Sequence, residues 1–396
     1  MSYTITASVT GLANVTGLVL QDNGSDNLAV SSGGSYAFQT PIPGGATYSV
    51  TILTQPAGHT CIVQNGSGTV GASNVTVSVV CPHDLLFSMG SGVGEFYIDD
   101  ATGSLVPVSG VSCAGTSIVL APGGKFAYVT SGASLSACAI DPTSGAATTI
   151  AGSSQAAGGG IAISPNGGLV LVVSSGKVSS FSVNTSTGAL TPAAVTTISD
   201  RGATVVAIDP SGQFAYVVGN ATTAYSIDYT SGGLTALANG SIANGGVALV
   251  FDPVGGFVYV SGLIAQIYAY ALDSTTGLLG AVPGSPFATL QFPQGLAASP
   301  NGQFLYVPGQ GADATSGYSV NSTTGALTEI TGSPFAGGFM PEGIALDPSD
   351  KFAYVANSDS IGIYSVDAAT GALSFLQTQQ DTMNGYISPL VIGTVQ

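Results

Sequence analysis

Charge is what this sequence has least of. Only 6% of its 396 residues are ionic, with four basic residues (Lys125, Lys177, Arg201 and Lys351) against twenty acidic ones and a formal net charge of -16. Average soluble proteins carry roughly 25%. A surface of this sign repels phosphate backbones and anionic lipid, so nucleic acid and acidic membranes are poor candidates as partners. A phosphorylated substrate is disfavoured for the same reason, because phosphate recognition draws on Arg or Lys. Tryptophan is absent, which weakens a role in stacking sugar faces. There is also no apolar run near the roughly 20 residues of a spanning helix, since apolar residues alternate with Ser, Thr and Gly, and membrane insertion is not expected.

A leader is missing too: Met1 is followed directly by Ser2-Tyr3-Thr4-Ile5, without a basic start or an apolar h-region. The chain is either intracellular or a mature form with an added Met. The four cysteines bear on that choice. No CxxC is present, and the cysteines fall as two local pairs, Cys61 with Cys81 and Cys113 with Cys138. Two disulfides, one per domain, would favour an oxidising, extracellular or cell-surface setting. Four buried free thiols are the alternative.

What the chain has in abundance is a phrase. SPNGQFLYV (Ser299 to Val307) recurs as APGGKFAYV (from Ala121), SPNGGLVLV (from Ser164), DPSGQFAYV (from Asp209), DPVGGFVYV (from Asp252) and DPSDKFAYV (from Asp347). A period in the forties with strand-like content is the mark of a β-propeller blade. A second phrase marks the turn before each blade's last strand: DDATGSL at Asp99, a weaker DPTSGAA at Asp141, NTSTGAL at Asn184, DYTSGGL at Asp228, DSTTGLL at Asp273, NSTTGAL at Asn321 and DAATGAL at Asp367. Asp or Asn opens such a turn through its own backbone, and Gly supplies the positive φ that closes it.

Seven turns accompany six FAYV-like strands; the seventh is Asp84 to Met89, which lacks an inner strand before it. Tyr386 to Ile392, left over at the C-terminus, is expected to supply that strand and close the ring, leaving no open edge. The expectation is all-β: a seven-bladed propeller over residues 83–396, preceded over 1–82 by an antiparallel, immunoglobulin-like or prealbumin-like β-sandwich of about seven short alternating strands. Within the sandwich, Asp22-Asn23-Gly24-Ser25-Asp26 reads as a turn in preference to a calcium loop, because the closing bidentate Glu is absent. His59 reads as a turn residue and Pro82 as the end of the module.

The FAYVAN strand (Phe352 to Asn357), the TGAL turns and the GSPF pieces at Gly284 and Gly332 together resemble the lactonase-type seven-bladed propeller family with its YVTN repeats, which includes 6-phosphogluconolactonases. The run GGATYSVTILTQPAGHTCIVQNGSGTV looks like a small module at the front of bacterial secreted proteins. The family resemblance implies a ligand site at one channel mouth, with His, Arg and Glu on the loops entering the innermost strands and following the FAYV strands. Here those loops offer Asp200, Arg201 and Glu342 as catalytic candidates, and Lys177, Asn220, Gln266, Gln294, Asp313, Asn357 and Asp359 as binding candidates. The only propeller histidine is His83, at the domain junction. Asp200 and Arg201 are expected to form a local ion pair, and neither a metal nor a cofactor is expected.

With so few ionisable groups, the leading expectation is a secreted, non-enzymatic binding, adhesion or assembly module at a bacterial cell surface or in extracellular filaments, able to self-associate. The alternative is a hydrolase or lactonising enzyme for a neutral or weakly anionic lactone, with Glu342 as base and Arg201 polarising the carbonyl. Glycan binding is a second alternative.

Overall fold

The computed structural model describes residues 1–12, 17–56, 61–81, 83–90, 93–142, 144–253, 256–380 and 389–395. His59, Pro82 and the start of the expected closing strand lie outside them. In the N-terminal part, one four-stranded sheet has the order Gly34–Ala37, Ile5–Thr10, Val75–Val80, Ile62–Gln64; the other has Asp26–Val30, Leu18–Asp22, Thr47–Thr54, Ser67–Thr69. Alternation decides which side is buried: Ile5, Ala7 and Val9 turn inward to meet Leu18, Leu20 and Val50 in one apolar cluster. The expected all-antiparallel pattern is not what forms, because Val75–Val80 runs parallel to Ile5–Thr10. Alternation fixes a strand's faces and not its direction. Asp22 pairs with Asp26 across a tight turn with Asn23 and Gly24 in the left-handed region, and its carboxylate accepts the Ser49 N–H at 2.9 Å.

Both disulfides form, Cys61–Cys81 and Cys113–Cys138, across separations of 20 and 25 residues. Loops of that size are worth about 3 kcal/mol each in chain entropy. The second ties the segment before the innermost strand of blade 2 to that blade's third strand.

From His83 onward, seven sheets of at least four strands follow one another. The ring is closed by the C-terminus: Leu390–Val395 pairs with His83–Met89 as the innermost strand of blade 1, with Leu86 opposite Ile392. The closing strand thus extends three residues beyond the expected Ile392. Apolar clusters are shared between neighbouring blades, as where Leu86 and Phe96 of blade 1 meet Tyr354 and Ile363 of blade 7. Two GSPF pieces add short strands, Phe287–Ala288 and Phe335–Ala336, which pair with the third strands of blades 5 and 6.

The repeated phrases are explained by contacts between blades. The buried FAYV tyrosines donate their hydroxyls to the TG-turn glycine of the next blade: Tyr216 to the Gly277 carbonyl at 2.7 Å, Tyr259 to Gly325 at 3.0 Å, and Tyr306 to Gly371 at 2.7 Å. Tyr354 completes the circuit to Gly103 of blade 1 at 2.9 Å. These glycines have φ near +72° and lie under a phenylalanine of the preceding blade, so that a methyl on Gly371 would stand 2.4 Å from the Phe304 ring. The glycine therefore serves the turn and the close approach of a ring at once. Tyr128 is the exception: its buried hydroxyl has no hydrogen-bond partner among the described residues.

Candidate functional site

The TG turns and the DPSG-like turns share one face of the ring. On the other face, the residues that begin the innermost strands of all seven blades surround an axial pocket of about 320 Å³, from Ser117 in blade 2 round to Leu390 in blade 1. Its side-chain polar groups are Ser117, Thr204, Gln294 and Glu342.

Gln294 and Glu342 are placed by two similar loops, Phe292-Pro293-Gln294-Gly295 in blade 6 and Met340-Pro341-Glu342-Gly343 in blade 7. Phe292 and Met340 both take φ of 52°, a left-handed conformation that costs about 1–3 kcal/mol and that neighbouring loops must hold in place. They do: Met340 N–H donates to the Asp313 carboxylate at 2.9 Å, and Gln310 N–H donates to the Phe292 carbonyl at 3.1 Å.

Gln310 opens a short 3₁₀ turn after the second strand of blade 6. Its side-chain amide donates to Glu342 Oε1 at 2.8 Å, while its own oxygen accepts from the Gln294 amide at 3.4 Å. Burial pushes the Glu342 carboxyl above its usual range, and the Gln310 hydrogen bond pulls partly against that. Such a carboxylate binds a proton more readily than a free one, a shift in the direction that favours a general base.

The other candidates are scattered around the mouth and do not line this pocket. The expected Asp200–Arg201 ion pair does not form. Asp200 instead accepts four hydrogen bonds: from Gly202 N–H at 2.9 Å, Asn220 N–H at 2.6 Å, Ala221 N–H at 3.1 Å and the Asn220 side chain at 2.9 Å. Partial burial works against its ionisation, but these donors outweigh it and hold the carboxyl below the usual range. Asp200 and Asn220 are loop braces, and Arg201 is left exposed beside Gly176.

Lys177 lines a separate cavity of about 230 Å³ with Gly158 and Ser174. Gln266 accepts from Tyr268, Asp313 pins Met340, and Asp359 accepts from Ser360. Asn357 is buried beneath Gly338. Gln310 was not among the sequence candidates; its only signal was the PGQGAD loop, longer than its counterparts after the YV strands. Among the described residues no group of three His, Cys, Asp or Glu is gathered to hold a metal.

A ring of seven blades with a carboxyl and two carboxamides at its axial mouth defines a β-propeller with a small-molecule type of pocket. The chain belongs to the seven-bladed β-propeller lactonase family, whose pattern matches residues 84–387. Among solved structures it is similar to a periplasmic gluconolactonase from Pseudomonas aeruginosa, with 19% identity, a TM-score of 0.67 and coverage of 78% of this chain and 99% of that one. It is also similar to candidate 6-phosphogluconolactonases from Bacteroides fragilis, with 20% identity, a TM-score of 0.68 and coverage of 78% and 98%, and from Bacteroides uniformis, with 20%, 0.69, 79% and 99%. No curated protein matches the sequence. Membership in a lactonase family overturns the expectation of a non-enzymatic binding, adhesion or assembly module. Scarcity of charge had argued for that module, but a hydrolytic site needs few ionisable groups if one of them is well placed.

Proposed function

We propose that this protein hydrolyses lactones in an oxidising compartment, with Glu342 as its general base. The observation that carries the reading is the Glu342 carboxylate, oriented by Gln310 at the edge of a pocket on the propeller axis. Family membership supplies the reaction class, and the two disulfides support the compartment.

In this mechanism Glu342 takes a proton from water as the water oxygen adds to the lactone carbonyl carbon. The carbonyl π electrons move to its oxygen, where the Gln294 amide, which lines the pocket, is a side-chain donor able to stabilise the charge. Collapse of the tetrahedral species breaks the ring C–O bond, and the proton held by Glu342 passes to the departing alkoxide, giving a hydroxy acid. Arg201, outside the pocket lining, has no part in these steps. The test is lactone hydrolysis followed by pH-stat in Glu342→Gln, with folding checked by circular dichroism. A loss of about 10²–10⁴-fold is expected for removal of a general base; wild-type rates in the folded variant would refute the assignment.

A further inference from the structure

Resting on the lactonase reading, we infer that the axial pocket takes an uncharged lactone bearing an apolar substituent, in preference to a phosphorylated or polyhydroxylated sugar lactone. Beside the uncharged Ser117, Thr204 and Gln294 and the Glu342 carboxyl, the side chains of the pocket wall are aliphatic, Ile161, Val206, Val247, Leu296 and Ile344 among them, and no Lys, Arg or His lines it. A phosphate or sugar carboxylate placed there would meet aliphatic side chains, three uncharged polar ones and the Glu342 carboxylate, with no cation to neutralise it. Of the chain's four cations, Lys125 and Lys351 belong to DPSG-like turns on the opposite face. The remaining two, Lys177 and Arg201, sit on blades 3 and 4 outside the lining.

The rim is uneven in the complementary sense. On the mouth-face loops of blades 5, 6 and 7, Leu263, Ile264, Phe292 and Phe339 are all more than half exposed. Phe292 is the most informative of them, because its ring lies against Gly311, where an added methyl would stand 2.9 Å away, and Gly311 directly follows the Gln310 that orients Glu342. An apolar surface thus adjoins the reacting carboxylate, where a chain or ring attached to the lactone would emerge. Water-exposed aromatic and aliphatic groups beside a pocket with an apolar wall are favourably covered by an apolar ligand.

Binding separates this inference from the catalytic one. Full-length Glu342→Gln protein, which does not consume the ligand, is titrated with δ-decalactone, δ-gluconolactone and 6-phosphoglucono-δ-lactone, and wild-type hydrolysis of the same three is followed in parallel. The alkyl lactone is expected to bind about 10-fold or more tightly than either sugar lactone, the discrimination a few buried methylenes give. Phe292→Ser is expected to weaken its binding several-fold, and by a larger factor than it weakens that of δ-gluconolactone. Equal or tighter binding of either sugar lactone, or no binding of the alkyl lactone, overturns the inference. Preferential hydrolysis of a sugar lactone overturns it too, yet leaves the lactonase reading standing. Binding of δ-decalactone with no hydrolysis of any lactone sustains the ligand class and overturns the catalytic reading instead.

Discussion

On the turn face of the propeller the same residues recur blade after blade, whereas the mouth-face loops share little beyond the Pro-Gln-Gly and Pro-Glu-Gly of blades 6 and 7. The turn face answers one structural demand seven times, an Asp or Asn side chain capping a turn that a glycine bends, and at four of those turns a tyrosine from the preceding blade bonds that glycine's carbonyl. At Asp273 the Thr275 N–H first, and at Asp367 the Thr370 hydroxyl followed by the turn's N–H groups, hold the carboxyls below their usual range, as expected of groups whose charged form is part of the turn. At the mouth, Glu342 is shifted the other way by burial. Periodic residues mark the scaffold, and departures from the period mark the site.

The largest expected effect breaks the scaffold itself. Deleting residues 387–396 removes the inner strand of blade 1 and leaves Leu85 to Met89 with an open edge. The thermal midpoint should fall by about 10 °C or more, and an unchanged melting curve would show that closure contributes nothing. Next is Gly371→Ala, which forces a side chain into left-handed backbone and against the Phe304 ring. A cost of about 3 kcal/mol or more is expected from denaturant unfolding.

Smaller, and sharper as a comparison, is a matched pair of tyrosine substitutions. Tyr306→Phe removes a buried hydrogen bond to Gly371 and should cost about 1 kcal/mol. Tyr128→Phe removes a buried hydroxyl that has no partner among the described residues and should be neutral or stabilising. Equal losses in the two would mean that the inter-blade hydrogen bond is not what the tyrosine is for. The smallest effect lies at the mouth. The Gln310 hydrogen bond opposes the upward shift of Glu342, so Gln310→Leu should raise that pKa further. Hydrolysis depends on the ionised carboxylate, so the rise of rate with pH should move to higher pH in the variant; a move to lower pH would contradict the orientation given to this pair.

Much of the scaffold was legible in the sequence because repetition exposes it: the blade count and the C-terminal closure follow from spacing, while the two local cysteine pairs allowed either disulfides or free thiols and form the disulfides. The parallel pairing of Val75–Val80 with Ile5–Thr10 was not, since an alternating strand reads the same in either direction. The site was half legible. Glu342 and Gln294 stand out after their prolines, but Gln310 meets Glu342 only because the ring sets blade 6 beside blade 7, across 32 residues of sequence. Asp200 misled in the opposite way: adjacency to Arg201 suggested an ion pair, while the loop offered its carboxylate four nearer donors.

The most direct measurement of whether the mouth carries the chemistry is the pH–rate profile of lactone hydrolysis in wild type and Glu342→Gln. The wild-type rate should rise through an inflection above the ordinary carboxylate range, reflecting the raised Glu342, and the variant should lose both the rate and the inflection. An active Glu342→Gln enzyme with the same profile would place the catalytic base elsewhere.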